Sequence, residues 1–275
     1  MIASITEVTS LDQPELHFYR SLRRSVEHRR EGVFIAEGNK VVERLLASRH
    51  TVVSVLLTES WLTSVHGVLS ARPEPIIVLK ASDILMKSIV GFRYHQGIIA
   101  VGRIPSSTQL ETICREGAPP ALFVALDKLT SAENTGVIVR TAAACGAGAV
   151  IVSESGSDPY LRRSVRNSMG TIFSLPVVYS DNLADTMRTL REKHRFSIIA
   201  AHLGEKSVSL HEVDFSSNCC VVLGHEQFGV SEEILDECDT VMQIPMAEGV
   251  DSFNVGCASA IVLYEAFRQR MGVGG

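Results

Sequence analysis

The chain has 275 residues, of which 45% are hydrophobic and 21% are charged, and its formal net charge is −5. This composition is typical of a globular protein with a substantial core and excludes a disordered or fibrous chain. The small negative charge excludes a global electrostatic attraction to nucleic acid, so such a partner would have to meet local basic patches.

The N-terminus and the cysteines indicate the compartment. The first fifteen residues lack the basic start and apolar run of a signal peptide, and no apolar stretch is long enough to span a membrane. The six cysteines show no CxxC spacing and lie in apolar or helical surroundings, so we interpret them as reduced, buried thiols. We expect a cytoplasmic protein.

The first hundred residues alternate helical and strand-like segments. The pattern predicts a helical stretch over 15–32 and a strand that leads into a helix over 33–48. Further strands are predicted in "VVSVLLTES", "PIIVLK" and "GIIAVG", with a helix in "SDILMKSI". These elements suffice for a small α/β domain over residues 1–104. A polar segment rich in proline and glycine follows at 105–120 and predicts a linker that can hold a short helix.

A different hydrophobic pattern begins at residue 121 and continues to 275. Short, continuous apolar runs alternate with helical stretches: "ALFVAL", "AVIVS", "PVVYS", "FSIIAAH", "CCVVLG" and "VMQIPM". Runs without alternation are typical of strands buried on both faces. The sequence therefore predicts an α/β domain with a mostly parallel sheet and helices on both sides, closed by a helix from about Phe253 to Arg270.

The glycine-rich segment "CGAGAVIV" is not a dinucleotide-binding motif. It lacks a third glycine, and it follows a helix and enters a strand, whereas the motif needs the opposite order. The chain also has no GxxxxGK[ST] segment, which excludes a P-loop.

Ligands of open parallel sheets bind beyond the carboxyl ends of the strands. Three of the predicted strands are followed there by loops with polar residues that could bind a ligand or act in catalysis, and we call these loops the three exits. After the first, Ser131 or Asn134 can cap a helix on which Arg140 projects among apolar residues. An isolated buried charge is costly, so Arg140 needs an acid or a phosphate. Glu226, in the glycine-flanked loop of the second exit, is the acidic partner that we expect.

The third exit, "VDSFNVGCASA", carries Ser252 and Asn254 at a predicted helix start. Either residue alone is explained by helix capping. The glycines of the second exit, Gly224 and Gly229, let the backbone approach a flat ligand closely. His225 lacks a second ligand at metal-site spacing, so no metal is expected.

Together the three exits resemble the SpoU (TrmH-like) branch of the SPOUT methyltransferases, over about residues 121–270. The matching residues are Asn134, Gly136, Arg140, Thr141 and Ala142 in the first motif, Leu223, Gly224, Glu226 and Gly229 in the second, and Ile244, Pro245, Met246, Ser252, Asn254 and Val255 in the third. Residues 1–104 are similar, more loosely, to the small α/β substrate-binding domain that often precedes this one. The chain departs from the family pattern at His225, at Phe253 and in "SAEN" before the first motif.

The resemblance implies a deep trefoil knot, S-adenosylmethionine as cofactor, transfer of methyl to a ribose 2′-oxygen of rRNA or tRNA, and a homodimer formed through the knotted domain. The implied catalytic residues are Arg140, Asn134, Glu226, Ser252 and Asn254. The implied cofactor contacts are Leu203, Gly204, Leu223, Gly224, Ile244, Met246 and Phe253. The two basic patches supply expected RNA contacts at Arg20, Arg23, Arg24, Arg29, Arg30, Arg162, Arg163, Arg166 and Ser168, and Arg162, Arg163 and Arg166 are expected near the active edge.

Other functions remain open at the level of sequence. A thiostrepton-resistance-type rRNA methylase has similar length and layout. A non-catalytic RNA-binding protein could retain the same fold, although the intact polar set at the three exits argues against it. A nicotinamide dehydrogenase is disfavoured because the dinucleotide motif is missing.

Overall fold

The computed structural model describes residues 1–22, 24–90, 96–116 and 120–271. Contacts between residues divide the chain into two compact units. Unit one comprises Met1–Ser106 and Tyr160–Phe173, and unit two comprises Ser107–Pro159 and Ser174–Gly275. Residues 160–173 thus pack with unit one, although the sequence places them inside the second domain. The boundaries at 104 and 121 stay a prediction.

The described residues form twelve strands. They are β1 (Ile2–Val8), β2 (Val33–Glu37), β3 (Val52–Leu57), β4 (Ile76–Ala81), β5 (Ile98–Arg103), β6 (Leu122–Leu126), β7 (Ala149–Ser153), β8 (Val177–Ser180), β9 (Ser197–Ala201), β10 (Val208–Ser209), β11 (Cys219–Leu223) and β12 (Thr240–Gln243).

The described residues also form eleven α-helices. They are α1 (His17–Arg20), α2 (Ser25–Arg30), α3 (Asn39–Ala47), α4 (Glu59–Ala71), α5 (Asp83–Val90), α6 (Leu110–Glu116), α7 (Ala132–Ala144), α8 (Arg162–Asn167), α9 (Leu183–His194), α10 (Glu232–Leu235) and α11 (Val255–Met271). Short 3-10 turns lie at Pro14–Leu16, Thr171–Ser174 and Leu210–Glu212.

Unit one contains a five-stranded mixed sheet in the order β1-β4-β3-β5-β2. The first three of these strands are parallel, and β5 runs antiparallel to β3 and β2. The predicted helical stretch over 15–32 divides into a 3-10 turn and the short helices α1 and α2. The fully buried Tyr19 makes a 2.8 Å hydrogen bond between its hydroxyl and that of Ser54, which ties this stretch to the sheet.

Unit two contains a seven-stranded sheet in the order β10-β12-β9-β11-β6-β7-β8, in which every neighbouring pair is parallel. All residues of β6, β7 and β11 are buried, as the continuous apolar runs predicted. The predicted parallel α/β sheet is therefore confirmed. The trefoil knot stays a prediction.

Two elements of unit one escaped the sequence analysis. Strand β1 lies at the sheet edge, where most of its side chains face solvent, so its apolar pattern is weak. Helix α4 buries only Val65 and Leu69 along thirteen residues, and the helical periodicity is correspondingly faint. The linker does hold a short helix, α6.

The cysteines are all free in the structure. Burial raises the pKa of Cys114 to about 11 and that of Cys238 to about 12, so these thiols stay protonated. Cys257 is exposed, so the interpretation of all six as buried was wrong for this residue. Within the described ranges, no helix combines the length and apolarity needed to cross a membrane.

Candidate active site

The loops that carry the three motifs open at one edge of the unit-two sheet. Strands β6, β11, β9 and β12 are consecutive neighbours and parallel, so their carboxyl ends meet at the same edge. The loop after β6 leads into α7, and the loop after β12 leads into α11. Parallel topology thus brings together segments that are more than a hundred residues apart.

The loop after β11 is closed by its own backbone. The amide of His225 donates to the carbonyl of Gly229 at 2.9 Å, and the amide of Gly229 donates back at 2.8 Å. A Cβ on Gly224 would lie 2.1 Å from the carbonyl carbon of Gly229, and Gly229 itself has φ of 71°. Both glycines are therefore required for the tight loop itself, a nearer reason than the ligand approach predicted for them.

Glu226 projects from this loop to the start of α7. Its carboxylate accepts hydrogen bonds from the amide of Thr130 at 3.1 Å, the hydroxyl of Thr130 at 3.0 Å and the amide of Ser131 at 2.9 Å. The side-chain amide of Asn134 donates a fourth, at 3.0 Å. Burial opposes ionisation, but these hydrogen bonds outweigh it and lower the pKa of Glu226 to about 2. Glu226 is therefore a permanent carboxylate at neutral pH.

Asn134 links Glu226 to the third motif. The Oδ1 atom of Asn134 accepts from the Nδ2 atom of Asn254 at 3.1 Å. Asn254 is also a helix cap, because its Oδ1 accepts from the amide of Gly256 at 2.9 Å. A chain of hydrogen bonds thus runs from Glu226 through Asn134 to Asn254 and joins the loops that follow β11, β6 and β12.

Arg140 lies apart from this chain. Its side chain is exposed, and among the described residues it has no hydrogen bond or ion pair and does not line the cavity described below. The expected pairing of Arg140 with Glu226 is therefore wrong. Glu226 binds the first turn of α7, whereas Arg140 is six residues beyond Asn134, about 9 Å along the helix axis. The apolar character of α7 did not imply burial of every face.

A cavity of about 290 Å³ opens beside this chain, and it is bounded by residues that follow β9, β11 and β12. Six of the seven predicted cofactor residues line it, namely Leu203, Leu223, Gly224, Ile244, Met246 and Phe253. Gly204 is not among its lining residues. Two of the predicted catalytic residues, Glu226 and Ser252, contribute to the lining.

The cavity also has a wall that the sequence analysis missed. His202 lines it at the end of β9, and the Nδ1 atom of His202 accepts from the amide of Val230 at 3.2 Å. Met242, Gln227 and Phe228 line it too. The signal for His202 was its place directly before the predicted contact Leu203. Phe228 lies between residues that were already assigned to the second motif.

The predicted RNA contacts all belong to unit one. Exposed arginines are found at Arg20, Arg24, Arg29, Arg30, Arg163 and Arg166. The guanidinium of Arg24 also pairs with Glu27 at 3.2 Å, an exposed pair that leaves the arginine accessible. Arg23 lies outside the described residues.

Two of the predicted RNA contacts are corrected by the structure. Arg162 forms an ion pair of 2.7 Å with Glu37, and the two side chains are only 14% and 12% exposed. Ser168 is fully buried and donates from its hydroxyl to the carbonyl of Val165 at 2.8 Å. Both side chains are occupied in holding α8 and its following turn, so neither is free to bind a phosphate. The basic pattern in the sequence could not distinguish Arg162 from the exposed Arg166.

Comparison with known proteins gives matches over both units. The model of the SpoU rRNA Methylase family matches residues 121–264. The 23S rRNA (guanosine-2′-O-)-methyltransferase RlmB of Acinetobacter baylyi is 32% identical over 205 residues, which cover 74% of this chain and 82% of that protein. An uncharacterized tRNA/rRNA methyltransferase of Mycobacterium tuberculosis is 29% identical over 98% of this chain and 94% of its own.

Solved structures resemble the whole chain as well. The AdoMet-bound rRNA methyltransferase from Sinorhizobium meliloti has a TM-score of 0.84 and 29% identity and covers 96% of this chain and 98% of its own. The SpoU methyltransferase AviRb from Streptomyces viridochromogenes has a TM-score of 0.80 and 27% identity and covers 95% of this chain and 99% of its own. 

Proposed function

The chain belongs to the SpoU rRNA methylase family, and we propose that it transfers a methyl group from S-adenosylmethionine to a ribose 2′-oxygen of rRNA. The observation that carries this proposal is the hydrogen-bonded chain of Glu226, Asn134 and Asn254, which joins all three family motifs beside one cavity. The choice of rRNA is supported by the family description and by the relative named for 23S rRNA.

The residues around the cavity suit S-adenosylmethionine. Leu223, Met242, Ile244 and Met246 provide an apolar wall for adenine, and Gln227 is among the polar groups near the opening. When bound, this cofactor supplies a methyl group already activated by its sulfonium sulfur. The protein then has two tasks, which are to position the ribose and to assist the loss of the hydroxyl proton.

The polar chain serves positioning and not proton abstraction. Glu226 has a pKa of about 2 and accepts four hydrogen bonds, so it is too weak a base to take a proton from a hydroxyl. Its role is to hold Asn134, which in turn holds Asn254 and the start of α11. Ser252 lines the same cavity and shapes the place of the nucleotide.

Arg140 orients the ribose hydroxyl and stabilises the negative charge that develops on its oxygen. Arginine stays protonated in proteins, so it acts as a cation and donor and not as a base. Its exposed side chain has no partner among the described residues, which leaves all of its N–H groups free for an RNA oxygen.

A homodimer through unit two is part of the proposal, and it is supported by exposed apolar residues on α7, which carries Arg140, and on α11, which Asn254 caps. Val137 of α7 is 38% exposed, and Ile261 and Tyr264 of α11 are 36% and 62% exposed. Apolar surface of this kind is covered in many homodimers, and a second copy seated here would bring Arg140 to the interface.

The exposed arginines of unit one bind RNA phosphates, and the enzyme acts in the cytoplasm.

The direct test is methyl transfer in vitro. The purified chain is incubated with isotope-labelled S-adenosylmethionine and with rRNA from cells that lack the gene, and the RNA is then digested for nucleoside mass spectrometry. The proposal predicts label in a 2′-O-methylated nucleoside. Label on a base would contradict the assigned reaction, and label that appears only when tRNA replaces rRNA in the incubation would contradict the assigned substrate.

A further inference from the structure

The loop after β11 carries an exposed aromatic side chain at the rim of the cavity. Phe228 is 73% exposed, the largest exposed fraction of any described phenylalanine, yet it is among the residues that line the cavity. Leaving a phenyl ring in water forgoes the free energy of burial, so an exposed ring beside a site suggests a ligand that covers it.

The ring of Phe228 is held in place and has a second ring beside it. Its centroid lies 4.8 Å from that of His225, with an interplanar angle of 34°. The Nδ1 atom of His225 accepts from the amide of Gln227 at 3.0 Å, which orients the imidazole and leaves the proton of the neutral ring on Nε2. The backbone hydrogen bonds between His225 and Gly229 close the loop that carries both rings. The pair is therefore preorganised and loses little conformational entropy when a ligand binds.

The position of the pair selects the kind of ligand. Methyl transfer requires the ribose to reach the cavity with its reacting oxygen about 3–3.5 Å from the methyl carbon. The base of that nucleotide, or of its neighbour, must then lie near the rim. RNA-binding proteins recognise unpaired bases by stacking them on Phe, Tyr, Trp or His side chains.

We propose that Phe228 and His225 form a stacking platform for an unpaired RNA base at or next to the methylated nucleotide. The inference rests on the proposed function, because that function brings RNA to this rim. The platform selects single-stranded or bulged RNA, since a base in a duplex cannot leave its neighbours to cover Phe228 without being unstacked. His225 supports the ring of Phe228 and offers Nε2–H as a donor to the base edge.

The test measures binding of rRNA from cells that lack the gene, separately from binding of S-adenosylmethionine. Replacing Phe228 by Ala or Leu is expected to weaken rRNA binding about tenfold, because stacking of one base on an aromatic ring is lost. Phe228→Trp is expected to retain the affinity and to give fluorescence that rRNA quenches. His225→Asn keeps an acceptor for the amide of Gln227 but loses the ring, so a smaller loss is expected. Val208→Ala, which trims another exposed side chain of unit two, is the matched control.

A second arm locates the base. A fragment of rRNA that contains the methylated nucleotide is made with single abasic positions in and around it. At one position the abasic RNA should bind the wild type and Phe228→Ala equally, because the stacking partner is already absent.

Three results would overturn the platform. The first is unchanged rRNA binding by Phe228→Ala. The second is a loss of S-adenosylmethionine binding by Phe228→Ala that equals its loss of rRNA binding, which would make the ring part of the cofactor site. The third is dissociation of an oligomer by the same substitution in light scattering, which would make the ring part of an interface between copies. Failure of the proposed function is separate. In that case the wild type transfers no methyl to rRNA, whereas failure of the platform leaves transfer intact and Phe228→Ala without effect on binding.

Discussion

Glu226→Gln tests whether the carboxylate anchors the loop after β11 to the start of α7. The fall in the pKa of Glu226 from 4.5 to about 2 corresponds to an upper limit of about 3.4 kcal/mol. The carboxylate is only partly removed from solvent, and screening reduces the expected contribution to about 1–2 kcal/mol. The variant should therefore unfold more easily at pH 7 by about this amount.

The pH dependence of the difference in unfolding free energy between wild type and Glu226→Gln shows whether the ionised carboxylate stabilises the fold. A carboxylate whose pKa is lower in the folded state stabilises the fold above its unfolded pKa and loses this effect as pH falls through the folded pKa. The difference in unfolding free energy between wild type and variant should be constant above about pH 5.5 and should lose at least about two fifths of its value at pH 3.5.

Urea unfolding of the full chain, followed by circular dichroism, measures this difference. The control is Glu205→Gln, which changes an exposed acid that has no hydrogen bond among the described residues. A difference that stays the same down to pH 3.5, or grows as the pH falls, would refute the anchoring role of Glu226.

Four further predictions follow from the same geometry. Asn254→Ala should lower stability by about 1 kcal/mol in urea unfolding, because α11 loses its cap, whereas Asn254→Asp should retain that cap. Arg140→Ala should abolish methyl transfer and leave the calorimetric Kd of S-adenosylmethionine within a few-fold; full activity would contradict its role. Gly224→Ala should weaken cofactor binding in the same calorimetric assay by about tenfold or more, since its Cβ would lie 2.1 Å from Gly229 and the loop could not close. Tyr264→Glu should convert a dimer to a monomer in light scattering, and an unchanged mass would reject the proposed interface.

The parallel sheet of unit two could be predicted because its strands are buried on both faces. Strands β6, β7 and β11 are buried at every position and consist almost wholly of apolar residues, a pattern that few other elements produce. Strand β1 and helix α4 face solvent along much of their length, so their sequences carry little of that signal. Sequence patterns report burial more directly than they report secondary structure.

The candidate site could be predicted in its members but not in its pairings. The sequence predicted that Glu226, Asn134 and Asn254 lie at one sheet edge, and in the structure hydrogen bonds join them there. The partner of Glu226 was predicted to be Arg140 because opposite charges attract, but the amides at the start of α7 are closer and already oriented. Such competition between a backbone donor and a side-chain donor is decided by three-dimensional distance.

In the basic patches, too, the sequence predicts which residues are present but not which contacts they make. Arg162 and Arg166 are the same residue type in the same basic patch, and only packing shows that Arg162 pairs with Glu37. A buried ion pair and an exposed phosphate contact use the same residue type, so no charge pattern separates them.

Whether this chain methylates the ribose of rRNA is tested most directly by a map of 2′-O-methylation in cellular RNA. Total RNA is compared between cells with the gene, cells without it, and cells without it that express Arg140→Ala. A ribose methyl in rRNA is expected to disappear with the gene and not to be restored by the variant. An unchanged methylation map in cells that lack the gene would contradict this expectation.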